Sequence, residues 1–442
     1  MTFIERYVDL MDRITYEALP TDVLRQTKIS CMDLAECVLA CDEDDPRMRS
    51  ALASIEAQAD GPCALWGTAQ RAAPADAAFY NAVRGAMSYR NSLHRASGTH
   101  PVEIAAAAVM AGAAKQTVST EDRICGLVCG IETIARMGEV LKSLQLPPSN
   151  RTTAMCAAMG AAVAAGKAMH LSGDELCSAL SFATHFACGN NQWGNDGTGE
   201  DVFQAGWGAR NGYLAARLAA AGAAGTKYAF EGKDGLIASL GRQASASALQ
   251  AALSLEWRCL QLESKPIDGC MMIQTPAQLM EDMLRSRAIR PEEVSRICVR
   301  VCGQALSQAG CDSLEIRNSV QAKMNIRYAV ASVLVYGGIR DVSWKPPFDN
   351  RVLCLMQRIE LAEKPGFTSV FPKKVSAEIA VDLQDGTMLC REQEDFTSLD
   401  REELMRRLLC LAEQARTDDA VHALLRDLDS LIKNEEECHD GL

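Results

Sequence analysis

The chain has 442 residues, a net charge of −12 at pH 7 and aromatic side chains at only 5% of its positions. This length favours two domains over one simple core, and an acidic chain in which no basic run exceeds two residues lacks the footprint of a nucleic-acid-binding protein. The first residues, MTFIERYVDLMDR, carry charges where a signal peptide needs an apolar core, so we expect a cytoplasmic protein. The longest uncharged alanine-rich run, 152–166, is too short to span a bilayer, so we expect no membrane as a partner.

Eighteen cysteines are scattered through apolar segments of the chain, and no C-x-x-C pair occurs among them. In the closest pairs the cysteines are four residues apart, as in Cys37 and Cys41, and no nearby histidine or further cysteine completes the four ligands of a zinc site. We therefore interpret the cysteines as small buried hydrophobic residues. The sequence predicts no bound metal, no iron–sulfur cluster and no other cofactor.

The first 260 residues have the spacing of apolar residues that is typical of helices. Three helices are predicted between residues 3 and 60. Others are predicted to begin after Ser119 and Ser172, each followed three positions later by an acidic residue in the pattern of a capping box. The loop GNNQWGNDGTGED, residues 189–201, is long for a compact domain, which is typical of lids and binding loops.

A polar stretch at residues 81–103, NAVRGAMSYRNSLHRASGTHPVE, contains two of the six histidines and lies between two apolar helical segments. Pro101 suits the first residue of the second helix, because a missing N–H costs nothing there. His100 then lies at the mouth of that helix, where unpaired backbone N–H groups attract carboxylates. We interpret the stretch as a candidate site for an anionic substrate. The alternative is a surface loop that leads into an ordinary helix.

The chain after about Leu260 contains patterns that predict strands. SRICVRV and VSAEIAVDL alternate apolar and polar residues, and an Asp-Gly turn leads the second into TMLCREQ. We predict an antiparallel sheet with helices on one side. The predicted fold class is mainly α, with a discontinuous all-helical domain at 1–259 and 397–442 and a smaller α/β domain at 260–396.

A series of motifs between Trp66 and Gly337 resembles the MmgE/PrpD family, which includes 2-methylcitrate dehydratase, cis-aconitate decarboxylase and iminodisuccinate epimerase. An asparagine that opens a small-residue helix, a polar turn and the pair His100-Pro101 before an alanine-rich helix stand in the order found in that family. The resemblance implies a large helical domain with a smaller α/β lid. It also implies a homodimer that acts on a small carboxylate metabolite.

Four residues match positions that are functional in the family, namely His100, Thr153, Lys265 in KPIDGC and Tyr328 in NIRYAVA. The resemblance implies that His100, Lys265 and Tyr328 are catalytic and that Thr153 lines the substrate site. Two alternatives stay open, because Lys265 could be an ordinary surface lysine and Tyr328 could be a core tyrosine whose hydroxyl has a partner.

The chain departs from the family where the family carries charge. Residues 88–92, SYRNS, replace an aspartate-rich string D-[FY]-D-D-T, Arg151 stands at a family histidine, and Asp201 lies where a lysine is usual. The carboxylates that would move protons in a dehydration are therefore missing. Because arginine binds carboxylates through two hydrogen bonds, we expect the substrate-binding residues to be Ser88, Arg90, Asn91, Arg151, Thr153 and Asp201.

These features predict an enzyme, a cofactor-independent lyase or isomerase/epimerase that removes a proton alpha to a carboxylate of a small di- or tricarboxylate. We expect little dehydration of 2-methylcitrate and tighter binding of a more anionic or amino-bearing dicarboxylate such as iminodisuccinate. The alternative is a non-catalytic relative of the same fold that binds a carboxylate metabolite or serves as an assembly subunit.

Overall fold

The computed structural model describes residues 1–58, 60–114, 117–414, 426–428 and 430–431. Most of the described chain up to residue 264 is helical, and its strands are only two residues long. The elements are α1 (Phe3–Asp12), α2 (Thr21–Leu39), α3 (Pro46–Ala53), β1 (Cys63–Ala64), β2 (Arg71–Ala72), α4 (Pro74–Ala86), β3 (Leu93–His94), α5 (Val102–Ala113), α6 (Thr120–Ser143), α7 (Thr152–Ala168), α8 (Gly173–Thr184), α9 (Gln192–Asp196), α10 (Asp201–Ala220), α11 (Leu236–Ser239), α12 (Ala246–Ala252) and β4 (Leu262–Glu263).

After residue 264 helices alternate with longer strands. The elements are α13 (Met271–Ser286), β5 (Val294–Val301), α14 (Gly303–Ser307), α15 (Ser319–Met324), α16 (Ile326–Tyr336), α17 (Asn350–Met356), β6 (Ile359–Glu363), α18 (Pro365–Val370), β7 (Ala377–Leu383), β8 (Met388–Gln393) and α19 (Arg401–Gln414). The predicted fold class, mainly α with a smaller α/β region, is confirmed. None of the helices in the described ranges is long and apolar enough to cross a bilayer.

The chain divides into two compact units. The first contains residues 1–190, 200–264 and 400–442, and the second contains 191–199 and 265–399. The predicted long loop is therefore split, because its middle forms α9 and groups with the second unit. In the first unit α19 packs against α2. The further C-terminal helices that we predicted lie almost entirely outside the described residues.

Helix α7 forms the middle of the first unit, with α5, α6 and α10 packed against it. Glycine and alanine dominate these surfaces because the backbones approach closely. A Cβ added to Gly130 of α6 would lie 2.7 Å from the Cβ of Ala164, and one added to Gly112 of α5 would lie 2.8 Å from the carbonyl oxygen of Ala165. Larger side chains at these two glycines would therefore force the helices apart.

Helices α5, α7 and α10 run in the same direction. Contacts between residues at or just before these helices advance together along the chain: His100 with Thr153, Gly112 with Ala165, Gly208 with Ala157, and Gly212 with Ala161. Their N-terminal ends consequently lie side by side, where the polar loop 88–100 enters α5. Because each helix N-terminus carries a partial positive charge, this end of the unit favours bound anions.

The second unit contains a four-stranded sheet in the order β6-β5-β7-β8. Strand β7 pairs antiparallel with β5 and β8, as predicted, and alternate residues of β7 are buried. Strand β6 was not predicted, and it pairs parallel to β5, with Ile297 opposite Ile359, so the expectation of a purely antiparallel sheet was wrong. A parallel neighbour arrives through a long crossover connection, so no hairpin turn marks it in the sequence.

Candidate active site

His100 lies just before α5, whose first helical residue is Val102, while Pro101 takes the capping position rather than the first turn. Its ring nitrogen Nδ1 lies 3.0 Å from the carbonyl oxygen of Ser92, and its backbone N–H donates to Thr153 Oγ1 at 3.3 Å. A carbonyl oxygen only accepts hydrogen bonds, so the neutral ring carries its proton on Nδ1 and its lone pair on Nε2. The side chain is half-buried. In this neutral tautomer Nε2 is the nitrogen that can accept a proton.

The loop that precedes His100 is fastened to α2 by two carboxylates. The guanidinium of Arg90 pairs with Glu36, and the hydroxyl of Ser92 donates to Asp33. All four residues are buried. The guanidinium of Arg90 lies against a carboxylate of the protein itself, and its contact with a substrate carboxylate stays a prediction.

Ser88 and Asn91 are also engaged within the first unit. The amide of Asn91 donates to Glu103 Oε1 at 2.6 Å, and Ser88 Oγ accepts the backbone N–H of Arg90 at 3.1 Å. Glu103 lies in the first turn of α5 and is buried. These bonds fix the shape of the loop, while a contact of either residue with substrate stays a prediction.

A chain of four polar side chains extends from this loop to α7 and α10. Arg47 Nη1 donates to the hydroxyl of Tyr89 at 3.0 Å, and that hydroxyl donates to Asp201 Oδ1 at 2.7 Å. Asp201 Oδ2 then pairs with Arg151 Nη2 at 3.1 Å. Tyr89 has φ of 60°, a left-handed backbone that is rare outside glycine and that often accompanies functional loops.

The two charge replacements at Arg151 and Asp201 compensate each other. Besides the ion pair, Arg151 Nη1 donates to the carbonyl oxygen of Asp201 at 2.9 Å. Burial raises the pKa of Asp201, and the neighbouring Arg151 opposes that rise. The guanidinium of Arg151 thus has a buried carboxylate beside it, and its contact with a substrate stays a prediction.

Among the side chains that make these contacts around the loop, carboxylates outnumber guanidinium groups. The acids are Asp33, Glu36, Asp45, Glu103 and Asp201, and the bases are Arg47, Arg90 and Arg151. A further negative charge therefore gains little from these arginines. An anion near His100 and Thr153 would instead meet the backbone N–H groups at the helix ends.

His94, the other histidine of the loop, points into the core and is fully buried. Its Nδ1 lies 2.8 Å from Ser97 Oγ, and its Nε2 lies 3.9 Å from a carboxylate oxygen of Glu139. Burial, followed by the positive charge of Arg258, lowers the pKa of His94 to about 4. The ring is therefore neutral at pH 7, and its contacts stabilise the fold.

Asp33, Glu36 and Cys37 form a group whose possible metal-donor atoms all lie within 4.8 Å of one another. Burial, with the charges of both acids, raises the pKa of Cys37 well above its usual value, whereas a metal needs the thiolate. The guanidinium of Arg90 against Glu36 further disfavours a cation. The residues present fit a metal poorly, and the predicted lack of a metal or cofactor stays a prediction.

Lys265 belongs to the second unit and is only 2% exposed, so the alternative of an ordinary surface lysine is wrong. Its Nζ donates to the carbonyl oxygen of Gly269 at 3.2 Å. Burial of an ammonium group is costly and is found more often at functional positions than on ordinary surfaces. A catalytic role for Lys265 stays a prediction that this burial favours.

Tyr328 also belongs to the second unit, and its residue is fully buried. Its hydroxyl donates to the carbonyl oxygen of Ser343, and its ring packs against Trp344 and Phe348. This geometry favours the alternative of a core tyrosine whose hydroxyl has a partner over the predicted catalytic role.

The residues that sequence reasoning missed are the partners of the predicted ones. Asp33 and Glu36 lie in the apolar run SCMDLAECVL of α2, and acids at such positions need a buried partner. That pattern was the available signal, although it does not name the partner. The structure joins His100, Thr153, Arg151, Asp201 and the loop 88–92 by direct contacts in the first unit, and it places Lys265 and Tyr328 in the second.

The fold and the site define a class of mainly helical proteins in which a histidine lies where two helices begin. Comparison with known proteins gives the family. The chain matches the MmgE/PrpD N-terminal domain over residues 5–248 and the MmgE/PrpD C-terminal domain over residues 269–410. It belongs to the MmgE/PrpD family.

Two relatives illustrate how distant the similarity to named enzymes is. The cis-aconitate decarboxylase-like protein oryM of Aspergillus oryzae (strain ATCC 42149 / RIB 40) is 27% identical over 349 residues, which cover 74% of this chain and 72% of that protein. The cis-aconitate decarboxylase of Aspergillus terreus is 26% identical over 338 residues, which cover 72% and 68% of the two chains.

Proposed function

We propose that this chain is a cofactor-independent lyase or isomerase that removes a proton alpha to a carboxylate of a small di- or tricarboxylate, with His100 as the base. The observation that carries the proposal is the contact of His100 Nδ1 with the carbonyl oxygen of Ser92 at 3.0 Å. This contact fixes both the ring orientation and the tautomer. The names of the relatives, which are decarboxylases or decarboxylase-like, support a carboxylate substrate.

The parallel helix ends support binding of the substrate as an anion. α5 and α7 begin beside His100 and Thr153, and α10 begins at Asp201. Each helix end contributes about 0.3–1 kcal/mol toward a nearby negative charge. Abstraction of the α-proton puts additional negative charge on the substrate carboxylate, so the same N–H groups would stabilise the transition state more than the ground state.

The internal ion pairs argue for proton exchange or epimerisation rather than for dehydration. Loss of a hydroxyl needs an acid that delivers a proton to it. The acids near His100 are buried beside arginine, serine, tyrosine or asparagine groups, as the pairs of Glu36 with Arg90 and of Glu103 with Asn91 illustrate. We therefore propose that the chain turns over 2-methylcitrate poorly and accepts a more anionic or amino-bearing dicarboxylate.

Solvent deuterium exchange tests the proposal directly. The wild-type protein is incubated in D₂O with a panel of di- and tricarboxylic acids that includes citrate, cis-aconitate, malate, aspartate and iminodisuccinate, and incorporation at the acidic carbon is followed by NMR. Incorporation into at least one acid above the protein-free rate is expected. No incorporation into any acid would refute the proposal, and rapid dehydration of 2-methylcitrate would refute the proposed selectivity.

The second candidate is a non-catalytic protein of the same fold that binds a carboxylate metabolite or serves as an assembly subunit. The observation that favours it is the ion pair between Arg151 and Asp201. These two residues stand where the family usually has a histidine and a lysine. A thermal-shift screen with the same acids separates the candidates. A ligand at about 100 times its Kd stabilises the folded state by about 2.7 kcal/mol, so stabilisation without deuterium exchange would favour this second function.

We also propose a homodimer. Helix α10 exposes Trp207, Leu214 and Leu218, which are 51%, 40% and 54% accessible and whose spacing keeps them near one helical face. A second copy that covers this face would remove the apolar surface from water. Sedimentation at micromolar concentration should give twice the mass of 47.8 kDa, and Trp207→Glu with Leu218→Glu should shift the protein toward that monomer mass.

A further inference from the structure

Two cysteines of the second unit lie in direct contact although they are 41 positions apart in the chain. The Sγ atoms of Cys270 and Cys311 are 3.9 Å apart, and the Cys270 sulfur also lies 3.5 Å from the carbonyl oxygen of Met324. Both residues are buried, with Cys270 8% and Cys311 0% exposed. This arrangement places two buried thiols side by side.

Cys270 occupies the capping position of α13, a 16-residue helix. Its backbone N–H donates to the carbonyl oxygen of Lys323 at 3.0 Å, which holds the turn in place. The hydrogen bond from Cys311 lowers the pKa of Cys270, and the backbone N–H groups of Met272 and Ile273 and the charge of Lys265 act in the same direction. A thiol at a helix N-terminus beside a cation is the more nucleophilic member of such a pair.

Cys311 has the opposite character. Its hydrogen bond to Cys270, together with burial, raises its pKa well above the usual value for a thiol. Of the two thiols, Cys270 therefore loses its proton more readily and Cys311 less readily. A dithiol needs this difference if one sulfur is to attack the oxidant and the other is then to attack the oxidised sulfur and form a disulfide.

We propose that Cys270 and Cys311 form a reversible oxidation site, at which hydrogen peroxide or another small hydroperoxide joins the two sulfurs in an intramolecular disulfide. In the first step the Cys270 thiolate attacks one peroxide oxygen, the O–O bond breaks, and the released hydroxide takes a proton to become water. In the second step Cys311 attacks the resulting sulfenic sulfur, the S–O bond breaks, and a second water leaves with the Cys311 proton. The two sulfurs supply the two electrons that reduce one peroxide.

Local backbone geometry allows the sulfurs to approach. A disulfide bond is about 2.05 Å long, so the two atoms must move together by about 2 Å, a distance within reach of side-chain rotation. Cys270 follows Gly269, with φ of +139°, and Cys311 follows Gly310, with φ of +81°. Both cysteines thus lie at turns rather than inside a strand or a helix, where rotation is more restricted.

The pair also lies beside a predicted catalytic residue. Lys265 donates to the carbonyl oxygen of Gly269, the residue before Cys270, and its charge lowers the pKa of the Cys270 thiol. Disulfide formation would remove an ionisable thiol from the neighbourhood of Lys265. This consequence for activity rests on the proposed function, whereas the oxidation itself does not, so the test below uses chemical analysis of the sulfurs.

Full-length, reduced wild-type protein is treated at neutral pH with a slight molar excess of hydrogen peroxide. It is then unfolded, alkylated and digested with trypsin, and the peptides are mapped by mass spectrometry. Trypsin leaves Cys259 with Cys270 on one peptide, because Lys265 is followed by Pro266, and Cys302 with Cys311 on another. We expect these peptides to become linked, with loss of two hydrogen atoms, and fragmentation spectra to place the link at Cys270 and Cys311. Dithiothreitol should reverse it.

Matched variants identify the sulfurs. Cys259→Ser and Cys302→Ser should form the link as wild type does, whereas Cys270→Ser and Cys311→Ser should lose it. Cys270 should also lose its thiol about tenfold faster than Cys302 in the wild-type protein, because the attacking group is a thiolate. Persistence of free Cys270 and Cys311 while exposed cysteines oxidise, or a link between Cys270 and any other cysteine, would overturn the proposal.

Discussion

His94 and His100 lie six positions apart in one loop, yet the structure gives them opposite environments. His94 is fully buried, touches Ser97 through Nδ1 and stays neutral because burial lowers its pKa to about 4. His100 is half-buried at the start of a helix, and a backbone carbonyl holds its Nδ1. Residue type and local spacing therefore identify the candidate histidines, whereas burial and the partner of each ring nitrogen decide which of them can act as a base.

The same division runs through the rest of the loop. Arg90, Asn91 and Ser92 point to acids of the protein, namely Glu36, Glu103 and Asp33. Like His94, these inward-facing groups stabilise the fold. Among these five loop residues, His100 alone combines partial exposure with an orientation suited to a base.

The largest effect is expected for His100→Gln. The glutamine amide can still donate to the carbonyl oxygen of Ser92, but it cannot accept a proton, so α-proton exchange should fall by about 100- to 10,000-fold. Stability in urea should change little. His185→Gln, at an exposed histidine, is the control and should keep the wild-type rate. Unchanged exchange in His100→Gln would place the base elsewhere.

The next largest effect is expected for Glu36→Gln. Removing one member of a buried ion pair leaves the Arg90 guanidinium in the interior without that carboxylate, which should lower the free energy of unfolding by about 3–5 kcal/mol. Glu360→Gln is the matched control, because its pair with Arg296 is exposed and should contribute little to stability. Urea unfolding measures both. Equal, small losses would return Arg90 to the role of a substrate-binding residue.

A further effect concerns the dependence of stability on pH. The folded protein lowers the pKa of His94 to about 4 from the ordinary value of 6.5. Between pH 6.5 and about pH 4 the unfolded chain therefore binds a proton at His94 that the folded chain does not bind. This contribution to stability is complete above pH 6.5 and is lost as the pH falls toward 4. The loss should reach about 3 kcal/mol.

Urea unfolding of wild type and of His94→Gln between pH 7 and pH 4 measures this slope. The variant should lose less stability than wild type over the interval, whereas His185→Gln should follow the wild-type curve. Parallel curves for wild type and His94→Gln would mean that His94 is protonated in the folded protein, and the contrast with His100 would then disappear.

The smallest effect is expected for Tyr328→Phe. The change removes one hydrogen bond to the carbonyl oxygen of Ser343, a residue exposed enough for water to replace it, so the loss of stability should be about 1 kcal/mol. Exchange activity should stay within about twofold of wild type, as expected of a core residue that makes no contact with the reacting atoms. A hundredfold loss of exchange with an intact fold would restore Tyr328 as a catalytic residue.

Much of the helical architecture could be predicted from the sequence, since it depends on neighbouring residues. Ser119 caps α6 and Ser172 caps α8, as their capping patterns predict. The sequence did not reveal β6, because a parallel strand is brought to its neighbour by a distant crossover. It also missed α9, whose five residues are too few to show a helical period.

For the candidate site, the sequence pointed to the loop, His100 and Thr153 as candidates but did not show how the charges are paired. Arg90 and Glu36 are 54 positions apart, and Tyr89 and Asp201 are 112 positions apart. Counted from the sequence, Arg90 and Arg151 were new positive charges for a substrate. In the folded chain each lies against an acid, so the same residues contribute mainly to the interior.

The sequence by itself determined where helices begin, where small residues let them pack closely, and that the chain is mainly α with a smaller α/β region. These properties depend on hydrogen bonds and steric fit within a few residues of one another. Only the tertiary structure decided that Arg151 faces Asp201, that His94 is enclosed, and that His100 keeps its lone pair on Nε2. Charge pairing and burial depend on neighbours in space, and those neighbours come from distant parts of the chain.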